Sequence, residues 1–162
     1  MSLTVIIGLG ERSGKTRCLY QSCMELSELG LRTLIMSPND LKSFAEIYGV
    51  VNGKGATGVT VVQEVNRDKD IGEVIRRYIV LDHHDIILID DVCGGMVGTP
   101  FLDKILYLKE LSNELGKPLI ATIQAPAEYT DNVSDLQDTL KSMEVASIIC
   151  SKGTCGINLL ER

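Results

Sequence analysis

Apolar residues in this chain alternate between short unbroken runs and longer stripes at helical spacing. Leu3-Thr4-Val5-Ile6-Ile7 is short and β-branched, as a strand buried on both faces of a parallel sheet should be. From Cys18-Leu19-Tyr20 to Leu29 the apolar positions recur with helical period, and Gly30 stops the segment. Arg32-Thr33-Leu34-Ile35-Met36 predicts a second strand, closed by the polar turn Ser37-Pro38-Asn39-Asp40. Leu41 to Tyr48 predicts a short amphipathic helix, and the four glycines between Gly49 and Gly58 predict a flexible loop. Val59-Thr60-Val61-Val62 is a third strand, and Asp70 to Leu81 a helix with Ile71, Val74, Ile75, Tyr78 and Ile79 on its apolar side.

The second half repeats the alternation. Ile86-Ile87-Leu88-Ile89 is a buried-type strand running into Asp90-Asp91. Phe101 to Leu115 is a helix stopped by Gly116-Lys117-Pro118, and Pro118 to Gln124 is the next strand. Ala146 to Cys150 and Gly156 to Leu160 predict two closing strands around Lys152-Gly153. With no repeat, low-complexity tract or linker, the pattern predicts one α/β domain over residues 1–162. Its sheet is mainly parallel, with helices on both faces and a site at the carboxyl ends of the strands.

Composition narrows the class. A chain of 162 residues, 44% hydrophobic and 23% charged, is long enough for a substantial core and too apolar for a disordered segment. No apolar run reaches a membrane span, and no basic segment with a long apolar core opens the sequence, so a cytoplasmic protein without membrane partners is expected. The net charge of −6 disfavours nucleic-acid binding by the monomer, although a ring or filament can gather a few basic side chains in one channel. Cys18, Cys23, Cys93, Cys150 and Cys155 show no CxxC spacing, which reads as buried thiols in a reducing compartment. The pairs Cys18/Cys23 and Cys150/Cys155 can be bridged only where the fold brings them close.

Chemistry concentrates in Gly8-Leu9-Gly10-Glu11-Arg12-Ser13-Gly14-Lys15-Thr16, set between a strand and a helix. Gly14-Lys15-Thr16 ends a Walker A loop, in which backbone N–H groups and a helix N-terminus cradle phosphates. Lysine reaches the β/γ-phosphates, and threonine binds Mg²⁺. The glycine spacing departs from the usual pattern. Gly8 leaves five residues before Gly14 and Gly10 leaves three, so Leu9 stands where a glycine is usual. An ordinary glycine turn with a solvated lysine is the competing reading.

Ile86 to Asp91 has the Walker B form, a buried strand delivering a carboxylate beside the loop. Asp90 is assigned to Mg²⁺ together with Thr16, and Asp91 to orienting water. The strand ending in Gln124 points to an extra strand beside the loop strand, with Gln124 either a γ-phosphate sensor or a plain surface amide.

These segments resemble the RecA-type P-loop ATPases, the group that includes recombinases, KaiC-like proteins and ring helicases. Gly10 to Thr16, Val59-Thr60-Val61-Val62-Gln63, Ile87-Leu88-Ile89-Asp90-Asp91-Val92 and Thr122-Ile123-Gln124 carry the likeness over roughly Leu3 to Cys150, and the FtsK/HerA pumps share the sensor strand. The resemblance implies a three-layer P-loop NTPase fold with ATP and Mg²⁺ as cofactors. It implies nucleotide binding by Gly10, Glu11, Arg12, Ser13, Gly14, Lys15, Thr16 and Arg17. Lys15, Asp91, Asp40 and Gln124 become the candidates for catalysis. The family's glutamate after strand two is replaced by Ser37-Pro38-Asn39-Asp40, leaving Asp40 or Asp91 to substitute.

The regions matching recombinase DNA loops are uncharged at Cys93 to Gly98 and acidic at Ala125 to Met143, where Glu128, Asp131, Asp135 and Asp138 face only Lys141 in the count. With the loop strand opening the sequence, the N-terminal segment by which recombinases often polymerise is not expected. Arg76-Arg77 reads as a solvated helix face or an arginine finger for a neighbouring subunit, His83-His84 between Asp82 and Asp85 as a surface turn rather than a metal site, and Lys152 as a hairpin lysine rather than one reaching a nucleotide base or a neighbour's phosphate. The expected function is slow or partner-stimulated ATP hydrolysis by a RecA-like paralogue or regulator in nucleic-acid metabolism, with a protein partner or homo-oligomer. Two other readings stay open: a nucleotide-gated binding module with little turnover, and a small-molecule kinase or nucleotidyl transferase. The last is poorly supplied, because no arginine occurs between Arg77 and Arg162.

Overall fold

A computed structural model describes residues 3–10, 13–37, 59–63, 72–73, 75–76, 84–90, 99–151 and 154–158 of the chain. Its strands are β1 (Leu3–Leu9), β2 (Thr33–Ser37), β3 (Val59–Gln63), β4 (Ile86–Ile89), β5 (Leu119–Gln124), β6 (Ala146–Ser151) and β7 (Thr154–Asn158). The helices are α1 (Lys15–Glu28), α2 (Phe101–Leu115), α3 (Ala127–Thr130) and α4 (Val133–Ser142). Gly72, Glu73, Ile75 and Arg76 have helical backbone, within the helix predicted over 70–81. The helix predicted at Leu41 to Tyr48 and the loop at 49–58 lie outside the described residues.

The strands form one sheet in the order β3-β2-β4-β5-β1-β6-β7. All pairs are parallel except β6–β7, a hairpin. β5 lies between β1 and β4, pairing Val5 with Ala121 on one side and Ile89 with Ala121 on the other. The extra strand expected beside the loop strand is therefore present.

Side-chain alternation along β1 divides the core. Leu3, Val5, Ile7 and Leu9 join Ile105, Leu108 and Leu111 of α2 and Leu136 and Leu140 of α4 in one buried cluster. Ile6 joins Leu19, Tyr20 and Cys23 of α1 in a second. Successive strand residues point to opposite faces, so two separate clusters mean helices on both sides of the sheet, as the sequence predicts. The helical stretch around Ile75 lies on the α2 face, where Arg76 pairs with Glu114 of α2 at 2.5 Å.

Two local features differ from the sequence reading. Residues 125–143 contain α3 and α4 rather than a single loop. The stripe of Leu136 and Leu140 buries α4 against the sheet, and the Asn132 side chain caps it by accepting from the Asp135 N–H at 3.3 Å. Phe101 and Tyr129 make a tilted ring contact at 5.7 Å, tying α3 to the start of α2.

The turn before β4 is not simply exposed, because His84 is buried at 7%. The neighbouring Asp85 is tied to Arg32 through its backbone N–H and through its carboxylate, which draws this end of the chain against the sheet.

Candidate functional site

β1 delivers the glycine loop to the middle of the sheet's carboxyl edge. Leu9, the residue at the irregular loop position, is the last residue of the strand: it pairs with Ser151 and its side chain is in the core. The chain turns at Gly10, whose φ of 76° lies in the left-handed region. The departure in glycine spacing thus reflects a strand that runs one residue into the motif.

Gly14, with φ 89°, is the N-cap of α1, and its carbonyl accepts the first helical bond from Cys18 N–H at 3.0 Å. A side chain at Gly8 has no room. A Cβ there would strike Ser13 Oγ, and would stand 2.8 Å from Gln124 Oε1 and 2.9 Å from Lys15 Cδ. Three polar side chains therefore converge over one bare stretch of backbone.

Each has a distinct setting. Ser13 is 2% exposed, and its buried Oγ has no hydrogen-bond partner among the described residues. Lys15 opens α1 and is half-buried, while Arg17 is on the exposed side of the helix. Gln124 ends β5, is exposed, and donates from Nε2 to the Gly10 carbonyl at 2.8 Å. A second tie joins the same parts, from Ala125 N–H to the Gly8 carbonyl at 2.9 Å.

Asp90 follows β4 directly and is 5% exposed. Thr16 Oγ1 donates to its Oδ1 at 3.0 Å across a sequence separation of 74 residues. Thr122 of β5, fully buried, donates to the same oxygen at 3.0 Å. The Asp90 N–H bonds the Met36 carbonyl at 2.7 Å, so the carboxylate stands beside the end of β2.

Thr16 and Asp90, assigned together from sequence, are thus in contact. Thr122 was not singled out as a site residue. Its signal was a hydroxyl two residues before Gln124 in an otherwise apolar strand. Glu11, Arg12, Asp40 and Asp91 lie outside the described residues.

The arrangement combines a glycine turn leading into a helix N-terminus, a lysine side chain beside Gly8, and a hydroxyl–carboxylate pair of hard oxygen donors. Among the described residues no group of three or more His, Cys, Asp and Glu side chains is placed to hold a metal ion, and none of the helices is long and apolar enough to cross a membrane.

Strand order and loop together define a RecA-like P-loop α/β fold. Two solved structures share it. Flagellar accessory protein FlaH from Methanocaldococcus jannaschii superposes with a TM-score of 0.61 at 16% identity, over 91% of this chain and 70% of that one. The KaiC-like protein PH0186 from the hyperthermophilic archaeon Pyrococcus horikoshii OT3 gives 0.59 at 15% identity, again over 91% and 70%. No protein-family model matches the chain, and no curated protein does.

Proposed function

We propose that this domain binds MgATP at the Gly8–Thr16 loop and hydrolyses it slowly or under stimulation by a partner. The observation that carries the reading is the 3.0 Å bond from Thr16 to Asp90, which joins the loop helix to the end of β4 where a Mg²⁺ site requires both. The donor set suits the cofactor. Mg²⁺ takes one or two protein oxygen ligands beside substrate phosphates and water, and Thr16 and Asp90 would supply them. The Ser13 hydroxyl fits as well, since a phosphate oxygen in the cradle is an acceptor of the kind it lacks. Bound Mg²⁺ would offset charge on the phosphates.

The chain's own residues do the rest. Backbone N–H groups of the loop and Lys15 orient the phosphates, and Thr122 holds Asp90 in place. Gln124, bonded to the Gly10 carbonyl, links the loop to α3 and α4. Asp91 or Asp40 would orient the attacking water. The names of the two structural neighbours, a flagellar accessory protein and a KaiC-like protein, fit an ATPase that serves a larger assembly. A role as a RecA-like paralogue or regulator in nucleic-acid metabolism rests on the resemblance alone.

A second reading, a nucleotide-gated binding module with little turnover, is favoured by the acidic exposed residues Glu128, Asp131 and Asp135 on the segment that Gln124 joins to the loop. Phosphate release from MgATP, with and without single-stranded DNA, separates the two, with Lys15→Ala as control. Lys15-dependent release supports the ATPase, and stimulation by DNA supports the nucleic-acid setting. Binding without release above the control rejects turnover and leaves the module.

A further inference from the structure

Two cysteines that the nucleotide reading does not use stand in register at the sheet's outer edge. Cys150 of β6 is fully buried in the cluster with Ile6, Leu19 and Tyr20. In the antiparallel β6–β7 pair it lies directly opposite Cys155, flanked by the pairs Ser151–Thr154 and Ile149–Gly156. Directly opposed residues of antiparallel strands share a face, with Cα atoms about 4.5 or 5.5 Å apart according to the pair type. Both separations fall inside the window of about 4.4–6.8 Å that a disulfide spans. We propose that Cys150 and Cys155 form a reversible thiol–disulfide pair, a redox clasp that closes the β6–β7 hairpin.

Position makes this pair distinct from the chain's other cysteines. β7 ends the strand order, where a hairpin opens more readily than an interior pair. Cys23 is as deeply buried as Cys150 but sits on α1 in mid-sheet, away from the opening edge, with its sulfur 3.5 Å from the Thr33 hydroxyl and its thiol pKa pushed up by burial. Cys18 and Cys23 are five residues apart on α1, a spacing that puts them on different sides of a helix. On its other side Cys150 pairs in register with Gly8, so the clasp lies one strand from the glycine loop.

The oxidant is a small-molecule disulfide such as oxidised glutathione. One cysteine thiolate attacks a glutathione sulfur, forming a mixed disulfide and releasing the first reduced glutathione. The other cysteine then attacks the protein sulfur of that mixed disulfide and releases the second. Two protein thiols lose two electrons and two protons, and one glutathione disulfide becomes two thiols.

Lys152 lies between the two cysteines, so trypsin separates Cys150 in residues 142–152 from Cys155 in residues 153–162. The full-length chain is equilibrated in reduced and oxidised glutathione, alkylated, digested without reductant and weighed by mass spectrometry. The 142–152 and 153–162 peptides are expected joined, and the joined species is expected to vanish in Cys155→Ser and in Cys150→Ala.

Because a short connection also favours bridging in an unfolded chain, the same titration is run in urea. The folded chain is expected to form the bond at a glutathione ratio about tenfold more reducing than the unfolded one. Persistent glutathione adducts, bridges through Cys18, Cys23 or Cys93, no oxidation, or equal titration in urea would each overturn the proposal.

Discussion

β4 carries an aspartate at each end, and the two are held in opposite ways. Asp85, before the strand, is partly exposed and receives a two-pronged contact from Arg32, from Nε at 3.2 Å and from Nη2 at 3.0 Å, with the Arg32 backbone N–H added at 2.9 Å. Asp90, after the strand, is buried and accepts from two neutral hydroxyls, Thr16 and Thr122. At the amino end a guanidinium matches the carboxylate's charge as well as its hydrogen bonds. At the carboxyl end two hydroxyls, from α1 and from β5, orient the carboxylate. The amino end is built as a structural clasp, whereas a carboxylate held in one orientation by hydroxyls is what the Mg²⁺ site proposed above would need at the carboxyl end.

Substitutions should separate the two roles. Asp90→Asn, which keeps the side chain's size, is expected to leave far-UV circular dichroism unchanged. Mg²⁺-dependent ATP affinity should fall by at least about 10–100-fold, the cost usual for losing even a hydrogen-bond partner of a metal ligand. Fluorescent-nucleotide titrations with and without Mg²⁺ measure this, and an unchanged Mg²⁺ dependence would remove Asp90 from the site.

Thr122→Val should have a smaller, double effect. It leaves one hydrogen bond to a buried carboxylate unmade, worth about 1.5–3 kcal/mol in urea unfolding. Mg²⁺ dependence should weaken in parallel, and Thr122→Ser should restore both. A stability loss with intact Mg²⁺ dependence would make Thr122 a core residue only.

Asp85→Asn should do least near neutrality, since the pair is open to solvent. Its signature is in acid. Hydrogen bonds from the Arg32 side chain and then its backbone, with added charge attraction, lower the Asp85 pKa from 3.8 to about 2. A carboxyl with a lowered folded pKa stabilises above its unfolded value and loses that contribution as pH falls through the folded one. Wild type should therefore lose its advantage over Asp85→Asn between pH 3.8 and about 2, read from denaturant midpoints across that range. Parallel curves would show that the clasp adds nothing.

The same contrast explains what the sequence made legible. Ile86 to Ile89 and the carboxylate after them were readable because a buried strand has a local signature, and α2 was readable over its full length because its stripe and its glycine stop are local too. Thr16 could be linked to Asp90 through the likeness of the whole pattern. Thr122 escaped because its role depends on which strand lies next to β4, and strand order is not written in any single segment. The Arg32–Asp85 contact is hidden in the same way, since 53 residues separate its partners. α4 was missed where acidic residues drew attention from the Leu136–Leu140 stripe beneath them.

Strand order also decides when the sheet can be assembled. β1 precedes both of its neighbours by more than a hundred residues, since Leu3 pairs with Leu119 and Thr4 with Ala146. Contacts of such long range pay their loop-closure entropy before they return any stabilisation, so they form late and slowly. β2, β3 and β4 can pair among themselves earlier, over shorter spans. A chain emerging from the ribosome therefore carries the apolar β1 and its glycine loop without strand partners until β5 has been made. Until then that strand is the part most open to wrong pairing and to capture by a chaperone.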